Sequence, residues 1–123
     1  MTPQRPYLLR AIYEWIVDNE ETPYILVNPF SEGVSVPSSA IIDDKVVLNI
    51  SPMAVKALDL GLEAVVFSYR FSGLEHSVYL PIRSILSIYS RDSGRGFEFD
   101  DSEYPVDEGG SKEDREKPKL ELV

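Results

Sequence analysis

Glu63-Ala64-Val65-Val66-Phe67-Ser68-Tyr69-Arg70-Phe71 alternates from end to end. Val65, Phe67, Tyr69 and Phe71 share one face at a period of two; Ala64, Val66, Ser68 and Arg70 share the other. That pattern reads as a half-buried strand, and its β-branched and aromatic residues suit a pleated surface. Ser72-Gly73 then reverses the chain into His76-Ser77-Val78-Tyr79-Leu80, a hairpin partner. Upstream, Tyr24-Ile25-Leu26-Val27-Asn28 between Pro23 and Pro29 reads as a strand, as does Val34-Ser35-Val36 before Pro37. Lys45-Val46-Val47-Leu48-Asn49-Ile50 is a stronger one, reached through an Asp43-Asp44 turn and ended by Ser51-Pro52. Ser51 to Leu60 reads as one or two helical turns between strands. After Pro81, Ser84-Ile85-Leu86-Ser87-Ile88-Tyr89 reads as a last strand or short helix, and Gly94 and Gly96 close the domain.

The N-terminal segment has a different period. Pro6 suits a first helical turn, where its missing N–H costs little. From Tyr7 to Asn19 no Gly or Pro interrupts, and Asn19 with Thr22-Pro23 stops the helix. Arg10, Glu14 and Asp18 make one narrow polar stripe, and Tyr7, Leu8, Leu9, Ala11, Ile12, Tyr13, Trp15, Ile16 and Val17 fill the rest. A helix on one sheet needs an apolar face of only ~100° or somewhat more. Either a second copy covers the surplus, with Tyr7, Ala11 and Tyr13 as contacts, or strands and loops of the same subunit wrap it. Five or six short strands with one helix at the end predict a mainly β fold, a small curled barrel.

Composition narrows the function. The 123 residues carry 12 Lys+Arg, 21 Asp+Glu, one His and no Cys, for a net charge of −9. Without cysteine there is no disulfide framework, thiolate zinc site or Cys nucleophile, and one imidazole leaves little for His-based triads or zinc clusters. His76 sits at the hairpin and reads as solvent-facing. Asp43-Asp44 and Asp100-Asp101 are adjacent carboxylates without the opposed surroundings that acid–base work requires. Gly94-Arg95-Gly96 is too short to cradle a phosphate. No residue is assigned a catalytic role, and no metal or cofactor is expected. No apolar run approaches the ~20 residues that span a bilayer, and no signal-peptide core follows Met1-Thr2-Pro3-Gln4-Arg5, so a cytoplasmic location is expected.

The charge is uneven. Met1 to Phe97 holds 8 basic and 11 acidic residues, whereas Glu98 to Val123 holds 4 and 10. That acidic stretch lacks the apolar spacing to repay its ordering entropy, so it reads as a solvated tail from about residue 100. Lys117-Pro118-Lys119-Leu120-Glu121-Leu122-Val123 restores aliphatic residues at the end; it is either a peptide ligand or an inert terminus. Small barrels bind oligonucleotides or peptides. Readers of single strands interleave cations with stacking aromatics, yet Phe67, Tyr69 and Phe71 have only Arg70 among them, with Asp59 and Glu63 upstream. A peptide groove of open strand edges and side-chain pockets fits better, with Arg70 suited to one carboxylate.

Specific motifs then join these elements. Arg5-Pro6-Tyr7-Leu8-Leu9-Arg10-Ala11, Tyr13-Glu14-Trp15 and Asp18-Asn19 resemble the opening helix of the stringent starvation protein B family, bacterial adaptors that bring ssrA-tagged proteins to the ClpXP protease. The resemblance continues through Thr22-Pro23-Tyr24, Gly33-Val34, Val36-Pro37, Val46-Val47-Leu48-Asn49-Ile50-Ser51-Pro52 and Ala54-Val55. Phe67, Arg70-Phe71, Gly73, Val78, Pro81, Ile88-Tyr89-Ser90-Arg91 and Gly94 extend it, so it covers Pro6 to Phe99.

The resemblance implies an Sm-like barrel that is a homodimer through its helices, with Tyr7 and Ala11 at the contact. It implies an ssrA tag extended along Asn49, Ile50, Ser51, Pro52, Met53, Ala54 and Val55 and along Phe67, Ser68, Tyr69, Arg70 and Phe71. A tag tyrosine would fill an apolar pocket, and Arg70 would pair with an acidic tag residue. Residues 1–99 would form the tag-binding and dimerisation domain, 100–116 an acidic linker, and 117–123 a tail docking on the N-terminal domain of ClpX through Pro118, Leu120, Leu122 and Val123. Neither membrane nor nucleic acid is an expected partner; an Sm-like oligonucleotide binder or RNA-linked regulator is the alternative. Three features depart from the family pattern: Tyr69 replaces a small residue, the tail carries Glu121 between its aliphatic residues and lacks the final basic residue, and the linker is short. At ~5–6 Å × √n that linker still spans ~20–25 Å.

Overall fold

The computed structural model describes residues 2–100. Helix α1 spans Arg5–Asp18 with Pro6 in its first turn, two residues earlier than the periodicity marks it. It stops where expected: Asn19 Nδ2 donates to the Trp15 carbonyl at 2.8 Å, and Glu20 turns the chain away at φ 63°. Its inner face buries Arg5, Pro6, Leu9 and Ile16. Ile12 and Tyr13 pack half-buried against the core, so Tyr13 belongs to the body of this subunit. Tyr7, Ala11 and Trp15 remain exposed one turn apart, a stripe that no strand or loop among the described residues covers.

Seven strands follow: β1 (Pro23–Val27), β2 (Val46–Asn49), β3 (Lys56–Leu60), β4 (Ala64–Phe71), β5 (Leu74–Pro81), β6 (Ile85–Ser90) and β7 (Gly96–Glu98). They make two antiparallel sheets, one ordered β2-β1-β6-β7 and the other β3-β4-β5. The fold is therefore mainly β with one N-terminal helix, as the sequence predicts, but the closed barrel is not formed. Among the described residues no named ladder joins the sheets. The physical cause lies in the connections. Asn49 Oδ1 accepts the Ser51 N–H at 2.9 Å and Ser51 O accepts from Ala54 and Val55, so a tight turn separates β2 from β3. A 3₁₀ turn at Ile82–Ser84 likewise separates β5 from β6.

Two local expectations are corrected. Ser51 to Leu60 forms that turn and then β3 rather than helical turns, because pairing with β4 overrides helix propensity. Ala57, at φ 55°, marks the bulge this pairing needs. Of Val34-Ser35-Val36 only Ser35 pairs, with Tyr79, between Gly33 at φ 91° and Pro37. The two turn assignments hold: Asp43 and Asp44 both have positive φ between paired Ile42 and Lys45, as do Ser72 and Gly73 between β4 and β5. Ile25, Val27, Val46, Leu48 and Ile88 of the first sheet meet Val65, Phe67, Val78 and Leu80 of the second in one core, closed by Leu9 and Ile16 from α1.

Candidate functional site

Strand β4 leaves the core along its length. On its inward face Val65 is fully buried and Phe67 is 2% exposed, whereas Tyr69 and Phe71 are half-buried. Their rings form a row, with centroids 6.0 Å apart from Phe67 to Tyr69 and 6.1 Å from Tyr69 to Phe71. Burial pushes the Tyr69 hydroxyl above the ordinary phenol range. Across the hairpin, Tyr69 pairs with His76 and Phe71 with Leu74, so these four side chains share the face. The His76 and Phe71 rings meet edge-on at 6.3 Å, and Leu74 is 66% exposed. The inward face thus surfaces as an aromatic and aliphatic patch at the hairpin end.

The predicted Asn49–Val55 segment borders this end, because β3 begins at Lys56 opposite Ser68 of β4. Its residues divide sharply. Ile50 and Val55 are buried with Phe67 in the core and shape the site from below. Pro52 and Ala54 are exposed, and Met53 is 95% exposed. Asn49 and Ser51 are half-buried and hold the turn together. The structure therefore brings both predicted segments to one place, with Ile50, Val55 and Phe67 as its floor.

Arg70 does not join them. Strand alternation puts it on the opposite face of β4, in register with Glu75, and its Nη1 donates to the Gly73 carbonyl at 3.1 Å. Lys56 and Ser68, paired with each other, share that outer face. His76 and Leu74 are the members that the sequence reading missed. The signal was present: a two-residue turn at Ser72-Gly73 sets the register and places His76 opposite Tyr69. Tyr7 and Ala11 lie far along the chain on the exposed stripe of α1, and Pro118, Leu120, Leu122 and Val123 lie outside the described residues.

Two shallow hollows of about 350 and 340 Å³ lie elsewhere, one by Trp15, Asn19, Glu21 and Arg95 and one by Tyr89, Gly96 and Phe97. In the first, the Ser90 and Ser93 hydroxyls donate to Glu21 Oε1 at 2.6 and 2.7 Å. Those bonds hold the Glu21 carboxyl below its usual range. No described helix is long and apolar enough to cross a membrane.

Fold and site together define a helix-capped, two-sheet β protein whose candidate contact surface is apolar and lies at an open strand end. Residues 3–121 match the family model for stringent starvation protein B. The chain is also 41% identical over 117 residues to a stringent starvation protein B homolog of Haemophilus influenzae, covering 95% of this chain and 77% of that one. The chain belongs to the stringent starvation protein B family.

Proposed function

We propose that this protein is a non-catalytic adaptor that grips an ssrA-type degradation tag and tethers the tagged protein to ClpXP. The observation that carries the reading is the passage of β4 from buried Phe67 to half-buried Tyr69 and Phe71 beside the exposed Pro52–Ala54 turn. An extended peptide can lay alternate apolar side chains on such a surface. The domain of residues 1–99 holds the tag, residues 100–116 act as the linker, and Pro118, Leu120, Leu122 and Val123 dock on the N-terminal domain of ClpX. An Sm-like relation of the two bent sheets belongs to the same reading. The exposed Tyr7, Ala11 and Trp15 stripe supports a homodimer through α1, and the proposed place of work is the cytoplasm.

Two linked contacts raise the local concentration of substrate by ~10²–10⁴ over either alone. No bond is made or broken by the adaptor. The net charge of −9 works against the oligonucleotide alternative, since phosphates would be repelled. Deleting Leu120 to Val123 should abolish stimulated degradation of a tagged substrate while leaving tag affinity intact. Unchanged stimulation would discard the tether.

A further inference from the structure

The aromatic patch needs a polar reader if its ligand is to be more than an apolar peptide, and Arg70 is on the wrong face to serve. We propose that His76 is the side chain that recognises a carboxylate on the bound peptide. This inference rests on the peptide-site reading above and names the residue that gives that site its preference for acid.

Three observations carry it. His76 is in register with Tyr69, and its ring meets Phe71 at 6.3 Å, so it stands on the patch itself. Arg70 pairs across the hairpin with Glu75 on the other face, where its guanidinium is held by the Gly73 carbonyl. Lys56 and Asp59 of β3 are in register with Ser68 and Val66, outer-face residues of β4, and the turn from Asn49 to Val55 contains no ionisable side chain. Among the described residues of β3, β4, β5 and that turn, His76 is therefore the one basic group on the patch.

The chemistry suits the position. An imidazole donates one N–H when neutral and two when protonated, and either suffices to meet a carboxylate oxygen. Beside aromatic rings such a bond is less diluted by water than on an open surface. An extended peptide places side chains on one face every second residue, ~6.4–6.8 Å apart. The ring centroids of Phe71 and His76, 6.3 Å apart, lie close to that step. The site should therefore prefer an Asp or Glu two residues from the side chain that rests on Tyr69 and Phe71.

The test is fluorescence anisotropy on the full chain with a labelled ssrA-type peptide and with copies in which each Asp or Glu is amidated in turn. His76→Ala should weaken the acidic peptide about tenfold and leave the copy amidated at the recognised position unchanged. His76→Arg should retain or tighten acidic binding, and Arg70→Ala should alter neither peptide by more than about twofold. Matched far-UV spectra and unfolding midpoints establish that the variants fold, and the Arg variant rescues the contact if alanine perturbs the hairpin. Equal binding of the acidic peptide by wild type and His76→Ala, or the loss falling on Arg70→Ala instead, overturns the assignment while the peptide site stands. Wild type binding neither peptide overturns both.

Discussion

Arg5 Nη1 lies 3.0 Å from the main-chain carbonyl oxygen of Ile85, a donor and an acceptor 80 residues apart. The same guanidinium donates to the carbonyls of Arg83 at 3.3 Å and Asp100 at 2.9 Å, and sits 5.1 Å from the Phe99 ring. Arg5 is fully buried. One side chain at the start of α1 thus joins the helix, the β5–β6 connection and the Phe99-Asp100 segment that follows β7. In sequence it looks like one more charge before a proline.

Replacing it should be costly. Arg5→Met removes the donors to three main-chain carbonyls, of which the bond to Ile85 is fully buried, and hydrogen bonds to charged groups contribute ~1.5–3 kcal/mol each. Urea denaturation should show a loss of about 2–4 kcal/mol, with Phe99 and Asp100 exchanging their amide protons faster than the core strands.

Glu21 makes the acid limb of stability predictable. Its carboxyl is held below its ordinary value of 4.5 by the hydroxyls of Ser90 and Ser93. A carboxyl depressed on folding contributes stability above its unfolded value, and that contribution is lost as pH falls through the lower folded value. Urea midpoints of the wild type should therefore fall as pH drops below about 4.5, and Glu21→Gln should flatten that part of the curve.

Gly96 is required by close approach. A Cβ there would lie 2.1 Å from the Ile88 carbonyl oxygen and 2.4 Å from the Tyr89 Cα, both backbone atoms that cannot swing aside. Gly96→Ala should push β7 off β6, costing about 1–3 kcal/mol. Hydrogen exchange should show lost protection across β7, with β4 and β5 unaffected.

Phe67 and Tyr69 are neighbours on one face with different duties. Phe67→Ala should cost about 3–4 kcal/mol, as for a buried aromatic deleted from a core. Tyr69→Ala, from a half-buried position, should cost under about 1.5 kcal/mol yet change the affinity for an ssrA-type peptide at least several-fold. Equal losses of stability for the two would refute this division.

The stripe on α1 gives the last prediction. A charge at exposed Ala11, between Tyr7 and Trp15, leaves the fold untouched but would be buried in a dimer through this face. The homodimer proposal predicts that wild type sediments at about twice 13.9 kDa, whereas Ala11→Asp keeps its unfolding midpoint and sediments as the 13.9 kDa species.

Alternation from Val65 to Phe71, the two-residue turns at Asp43-Asp44 and Ser72-Gly73, and Pro6 ahead of an unbroken apolar run are local properties. Chain geometry alone commits them to strands, hairpins and a helix, and so the element types and most of their order could be read directly. Asn49–Val55 and Phe67–Phe71 enter the candidate site through family resemblance, and the pairing of Lys56 with Ser68 is what sets them side by side. Other features depend on what lies opposite in space. Whether Ser51 to Leu60 coils or extends is decided by β4 alongside it. Whether the sheets close is decided by the turns after Asn49 and Pro81. Arg5 becomes a buried clamp only because three carbonyls converge on it, and His76 joins the aromatic patch only because the hairpin register carries it there. Periodicity records which way a side chain points from its own strand; burial and partnership require the atoms that distant parts of the chain bring to meet it.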